Sequence, residues 1–183
     1  MQLSMAGYEY TTMAHVAASL GLKESVLKEY YPSKEDLLAA IYALYRQTKI
    51  NARPNFDNIL KVAETKHPHE VLMMLSYEIP DDISEFMTYA LLLATQNINR
   101  DPESMDLVKN FTMGYAYEGV KKLLDKMMEL GKIEPIDSKM FAKLISYYVF
   151  SNAVLERSML GVTHEKYIAG LATLLQLVKP TGK

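Results

Sequence analysis

Cysteine and tryptophan are both missing from this sequence. Without cysteine there can be no disulfide and no thiolate metal site, and a reducing interior is compatible with the chain. Glycine and proline are sparse, eight and seven among 183 residues, so long stretches carry nothing that breaks a helix. Apolar runs are short: Tyr89 to Ala94 is typical, far below the roughly 20 residues of a membrane span, and no secretory signal is visible. Charge of either sign is not in excess. A net charge of −2 is not that of a protein that coats nucleic acid, although a small basic head on an acidic body would give the same balance. Also missing are a phosphate-binding glycine loop and a nucleophile motif. Of the four histidines, His15, His67, His69 and His164, the pair in His67-Pro68-His69 has no neighbouring acid pair and reads as exposed helix-junction residues. Glu78 and Asp81-Asp82 read as helix-end charges. No catalytic residue, no metal ligand, no cofactor and no membrane partner are therefore expected, and the chain does not read as an enzyme.

What is present is helix. Hydrophobic residues make up 49% of the chain, enough for a sizeable core. The stretch Thr11 to Leu38 organises the rest. Met13, Val16, Ala17 and Leu20 fall at i, i+3, i+4 and i+7, one apolar helical face. Gly21 breaks that helix where a positive φ is needed. Lys23 to Tyr30 can form a second, two-turn helix with Leu27 facing inward, stopped by Tyr31-Pro32. Ser33 followed by Asp36 caps a third helix that runs to about Ala52, with Leu37, Leu38, Ile41, Leu44, Tyr45 and Thr48 as its apolar stripe. Helix, glycine turn, helix is the layout that lets a second helix enter the major groove of DNA.

Beyond Pro54 the breaks predict helices at about 55–66, 68–79, 81–99, 102–130, 137–160 and 163–178. Pro68, Pro80 and Pro102 suit first-turn positions, and Asp137 and Thr163 are N-cap candidates. The 102–130 segment is long and contains Gly114 and Gly119, so a bend or break is expected there. Leu144 to Leu155 is apolar almost all round, as in a helix buried on more than one side.

The first fifty residues resemble the DNA-binding domain of the TetR family of bacterial transcriptional regulators. Gly7-Tyr8, Thr11-Thr12-Met13, Val16-Ala17, Leu20-Gly21-Leu22, Leu27, Tyr31-Pro32-Ser33-Lys34 and Leu37-Leu38 carry the likeness. It implies an all-α fold, with an N-terminal three-helix head over 1–45 and a helical effector-binding and dimerisation domain over 46–183. Only six residues precede Gly7, so the first helix is expected to be short. This implies either a truncated start or a less well packed head, with Leu3 in place of the usual inward aromatic. Lys23 stands where the family usually has a capping Ser or Thr, Val26 where it has a small or hydroxyl residue, and Lys28 where it has Tyr. Residues 1–53 carry six basic and five acidic side chains, a net of +1, leaving −3 for the remainder. So weak a positive charge predicts modest non-specific DNA affinity.

The function implied is that of a cytoplasmic, ligand-responsive regulator, a repressor that leaves its double-stranded DNA operator when a small apolar effector binds. Thr11, Thr12, Lys28, Tyr30 and Lys34 are expected at phosphates and sugars, Glu24, Ser25 and Val26 at base edges, and Lys23 among the DNA-binding residues. The effector is expected among Tyr45, Met74, Tyr77, Met87, Tyr89, Phe111, Tyr115 and Tyr147, where Met and aromatics make an adaptable wall. A homodimer is expected to pair through Tyr148, Asn152, Leu155, Met159, Tyr167, Leu171, Leu174 and Leu175. The alternative is a ligand-binding or protein-interaction dimer whose degenerate head no longer reads DNA, as Lys23, Glu24 and Glu29 would suggest.

Overall fold

A computed structural model of the protein describes residues 7–75, 81–156 and 160–181. They are helical, joined by turns, with one isolated antiparallel bridge between Ile133 and Pro180. The expected first helix falls mostly outside the described residues; Tyr8 to Tyr10 form a turn. Helices α1 (Met13–Ser19) and α2 (Glu24–Tyr30) follow, with Gly21 at φ +68 between them. Helix α3 (Lys34–Ala52), termed here the connecting helix, carries the chain on from this helix pair. Then come α4 (Phe56–Val62), α5 (Pro68–Met73), α6 (Asp81–Asn97) and α7 (Pro102–Asp106). A π-helical stretch, Leu107–Gly114, leads into α8 (Tyr115–Glu129). After α9 (Ser138–Ser151) a second π-helical stretch covers Asn152–Glu156, and α10 (His164–Leu175) is last.

The local start signals work as the residue types dictate. Thr12 accepts from the His15 N–H, while His15 Nδ1 accepts from the Thr12 N–H. Asp137 and Thr163 cap α9 and α10, and Pro68 and Pro102 sit in first turns. The Ser33 N–H and hydroxyl both donate to Asp36 Oδ2. Pro80 lies outside the described residues.

Two expectations are corrected. Leu20 does not face inward: it is the C-cap of α1, and the chain turns at Gly21 before Leu20 can reach the core. The buried stripe of α3 is Leu37, Leu38, Tyr42 and Tyr45, with Leu44 exposed, since a 3.6-residue period from Leu38 lands on Tyr42 and Tyr45. The segment after Pro102 departs from one regular α-helix, in keeping with the bend or break expected there. Its hydrogen bonding widens to the π pattern from Leu107 to Gly114.

The chain forms two compact units, each discontinuous in sequence: Met1–Asn51 with Pro80–Lys109, and Ala52–Ile79 with Asn110–Lys183. In the first, Tyr42 is fully buried and its hydroxyl meets Ser104 Oγ at 2.7 Å. Arg46 Nη2 donates to Asp106 Oδ2 at 2.9 Å, and Arg100 pairs with Glu9. The second has its own apolar core. Val120, Leu123, Leu124 and Met127 form one face of α8 at i, i+3, i+4 and i+7. They pack in a cluster with Ile59, Val71, Leu72, Ile145, Leu171 and Leu175. Its C-terminal end is tied back: the Thr181 N–H donates to the Lys132 carbonyl, and the Glu134 N–H to the Lys179 carbonyl.

Candidate nucleic-acid interface

Helix α2 presents Lys23, Ser25, Lys28, Glu29 and Tyr30 to solvent, with Glu24 and Val26 half-buried at its edge and Leu27 turned inward. Inward Leu27 is what aims the other side chains outward, because α1 and α2 pack on each other through that face. Lys23 occupies the N-cap position in extended conformation and makes no capping bond, since an ammonium has no acceptor. Lys28 Nζ lies 2.7 Å from Glu24 Oε1 one turn earlier. Both side chains are open to solvent, so the pair is worth only about 0.3–0.5 kcal/mol and can exchange for a phosphate.

The other expected contacts have work within the protein. The Thr11 side chain is buried and its hydroxyl donates to the Gly7 carbonyl at 2.9 Å. Thr12 is exposed and caps α1. The Lys34 ammonium donates to the Tyr8 carbonyl at 2.8 Å and the Thr11 carbonyl at 3.2 Å, and lies 4.1 Å from the centre of the Tyr8 ring. The Tyr8 hydroxyl donates to Glu35 Oε1 at 3.0 Å. Burial, and then the Glu35 bond, push the Tyr8 phenol well above its ordinary range. Its own backbone N–H, and then Tyr8, hold the Glu35 carboxyl below its ordinary range. The Tyr8–Lys34–Glu35 group was not legible in the sequence, where nothing local marks partners 26 residues apart.

The expected effector residues are divided between the units. Tyr45 and Met87 are buried and Tyr89 half-buried in the first. Phe111 and Tyr115 are half-buried in the second, where Met74 and Tyr147 are more exposed. Tyr77 lies outside the described residues. Phe111 and Tyr115 are brought to one guanidinium: Arg53 Cζ is 4.0 Å from the Tyr115 ring centre and 5.9 Å from that of Phe111. The Tyr115 hydroxyl donates to the Pro54 carbonyl at 2.8 Å, and its ring meets Phe56 edge-on at 5.4 Å. Tyr42 is a further buried polar aromatic in the first unit, and burial pushes its phenol up to about 12.

Of the expected dimer residues, Asn152, Leu171 and Leu175 are buried within the protomer, and Leu174 is half-buried against its core. Tyr148 stacks on Tyr167 at 5.6 Å and donates to the Tyr167 carbonyl. The Leu155 side chain and Met159 lie outside the described residues. The apolar side chains left open on α9 are Met140, Leu144 and Tyr147, a stripe at i, i+4 and i+7. His67 Nδ1 accepts from the His69 N–H at the start of α5. No helix among the described residues is long and apolar enough to cross a membrane.

Residues 1–41 match the model of a family described as bacterial regulatory proteins, tetR family. No curated protein matches the sequence. Several solved structures share the fold. One is a putative transcriptional regulator from Saccharomonospora viridis in complex with choline, 17% identical, with a TM-score of 0.66 over 97% of this chain and 92% of that one. PfmR, a TetR family transcriptional regulator from Thermus thermophilus, is 19% identical, with a TM-score of 0.65 over 94% and 91%. The ketosteroid transcriptional regulator KstR2 of Mycobacterium tuberculosis is 16% identical, with a TM-score of 0.64 over 97% and 89%. At these identities the likeness is one of fold: an all-α chain with an N-terminal helix-turn-helix head.

Proposed function

With a TetR-family head at residues 1–41 as the premise, we propose that the protein is a ligand-responsive transcriptional regulator that binds DNA as a homodimer. The observation that carries this reading is the solvent-facing side of α2, where Lys23, Ser25 and Lys28 project from a helix held by buried Leu27. Residues 1–45 are the reading head and 46–183 the effector-binding and dimerisation domain. Ser25, Val26 and Glu24 meet base edges, where a carboxylate can accept from a cytosine amino group. Lys23, Lys28, Tyr30 and Thr12 meet the backbone. Two heads set one helical turn apart would read a near-palindrome.

The body takes a small, largely apolar effector near the aromatic and methionine side chains of the middle helices. Half-buried Phe111 and Tyr115, beside the Arg53 guanidinium at the end of α3, support that placing. An effector that favours one head spacing over another by a few kcal/mol releases the operator. Dimerisation uses α9 and α10, and the exposed stripe Met140, Leu144 and Tyr147 supplies apolar area for it. The second reading is a ligand-binding dimer whose head does not read DNA. It is supported by Lys28 being paired with Glu24 and by the uncapped start of α2.

Selection of bound fragments from the host's own genomic DNA separates the two. Recovery of a short near-palindrome that survives near-physiological salt is the expected result. Folded dimeric protein that recovers no fragment at either low or near-physiological salt refutes the regulator reading.

A further inference from the structure

We propose that Lys34 is a positioning residue of the reading head, acting through Tyr8 and Thr11, and not one of its phosphate contacts. The inference rests on the head being a DNA reader, and it assigns Lys34 a different task within it. A lysine ammonium has three donors. Two are used on the carbonyls of Tyr8 and Thr11, and the charge lies against the face of the Tyr8 ring. Hydrogen bonds from a charged donor are about twice as strong as neutral ones, and a cation over an aromatic face adds to them. Leaving this site for a solvated phosphate would strip two backbone acceptors of their partner. One of these belongs to Thr11, a residue with 1% of its surface exposed.

The arrangement joins two parts of the head. Lys34 and Glu35 open the connecting helix, and Glu35 accepts from the Tyr8 hydroxyl, so adjacent residues of α3 hold both ends of Tyr8. Thr11 is fastened from the other side by its own hydroxyl bond to Gly7. The next residue, Thr12, is the N-cap of α1, and α1 packs on α2. Lys34 therefore sets where α1 begins relative to the connecting helix, and through α1 the direction in which α2 points. Lys28, held only by an exposed one-turn ion pair, is the contrasting case of a lysine free to change partner.

The test uses the full chain with Lys34→Gln, Lys34→Arg and Lys28→Gln, and a mixed-sequence duplex of about 30 base pairs, a length that covers both heads. Loss of one phosphate contact lowers the slope of log K against log salt by about 0.9. The expectation is that K34Q weakens binding about tenfold at every salt with the slope unchanged, while K28Q, which removes one contact from each of the two heads, loses about 1.8 of slope. Arginine keeps a charge for phosphate but brings a planar fork to a site built for a compact ammonium. K34R is expected to restore less than half of the lost binding, and full rescue by it, or a lowered slope in K34Q, overturns the proposal.

Amide hydrogen exchange without DNA is the second arm. K34Q should lose protection across Met13–Ser19 while the second unit keeps its own; unchanged protection there overturns the proposal. If the wild-type protein binds no duplex at all, the regulator reading fails. The exchange result then decides the role of Lys34 alone.

Discussion

Substituting Gly119 by alanine sets two effects of opposite sign against each other. In the interior of α8, alanine is the better helix former by up to about 1 kcal/mol. A methyl group at Gly119, however, would come closer than 3.0 Å to three carbons of the Phe56 ring. That ring is not free to swing aside: it meets Tyr115 edge-on and packs against the core of the second unit, and Tyr115 is fastened to the Pro54 carbonyl. Forcing an extra methyl into a filled site costs about 1–3 kcal/mol. Crowding should therefore win, with a net loss of about 1 kcal/mol. For a chain of this length that corresponds to a fall in Tm of about 2–4 °C. Urea denaturation should show a lower midpoint at constant m. Pairing G119A with Phe56→Leu should recover part of the loss, leaving a coupling energy of about 1 kcal/mol in the double-mutant cycle. A G119A protein as stable as wild type, or strict additivity with F56L, would refute the reasoning.

Asp125 accepts from Lys121 and Ser138, and these bonds, Lys121 first, hold its carboxyl below the ordinary range. The stability it contributes is present above the unfolded carboxylate value, about 3.9, and is lost as pH falls through the lower folded one. Asp125→Asn should therefore flatten the acid limb of a Tm-against-pH curve below about pH 4, and an unchanged limb would sink the idea. Tyr42→Phe removes the hydroxyl from its buried bond with Ser104, which keeps its bond to Asp101. We expect a loss of about 1 kcal/mol by thermal denaturation, and no loss would mean the bond contributes nothing net. Lys23→Ser supplies the acceptor that the start of α2 lacks and should stabilise the head by about 0.5–1 kcal/mol. Hydrogen exchange across Glu24–Tyr30 should slow accordingly; faster exchange would contradict it.

What could be read from the sequence was what local chemistry decides. The φ of Gly21, the Ser33–Asp36 cap, the caps at Asp137 and Thr163 and the first-turn prolines Pro68 and Pro102 each depend on a few neighbours. The head was legible for the same reason, as a run of start and stop signals at fixed spacing. What escaped depends on residues far away in the chain. Lys34 looks like a surface lysine at a helix start until Tyr8 and Thr11 are placed beside it. Thr11 looks like a phosphate contact until its side chain is seen to be buried. Periodicity put Leu20 and Leu44 on inward faces because it ignores where a helix ends and which of two adjacent apolar rows meets the core. The π-helical stretch at Leu107–Gly114 has no sequence signature beyond the glycine that closes it.

The discontinuous make-up of the first unit has a consequence for how the protein is made. Tyr42 finds Ser104 62 residues later, Arg46 finds Asp106 60 residues later, and Glu9 finds Arg100 at a distance of 91. At about 5–20 residues per second, the ribosome delivers Ser104 some 3–12 s after Tyr42. Throughout that interval the growing chain holds a helix-turn-helix and a connecting helix whose buried tyrosine has no partner. The helix-turn-helix segment is thus among those that must wait for a later segment. A nascent chain arrested soon after Ala52 should be a preferred client of chaperones, and one arrested well beyond Lys109 should not.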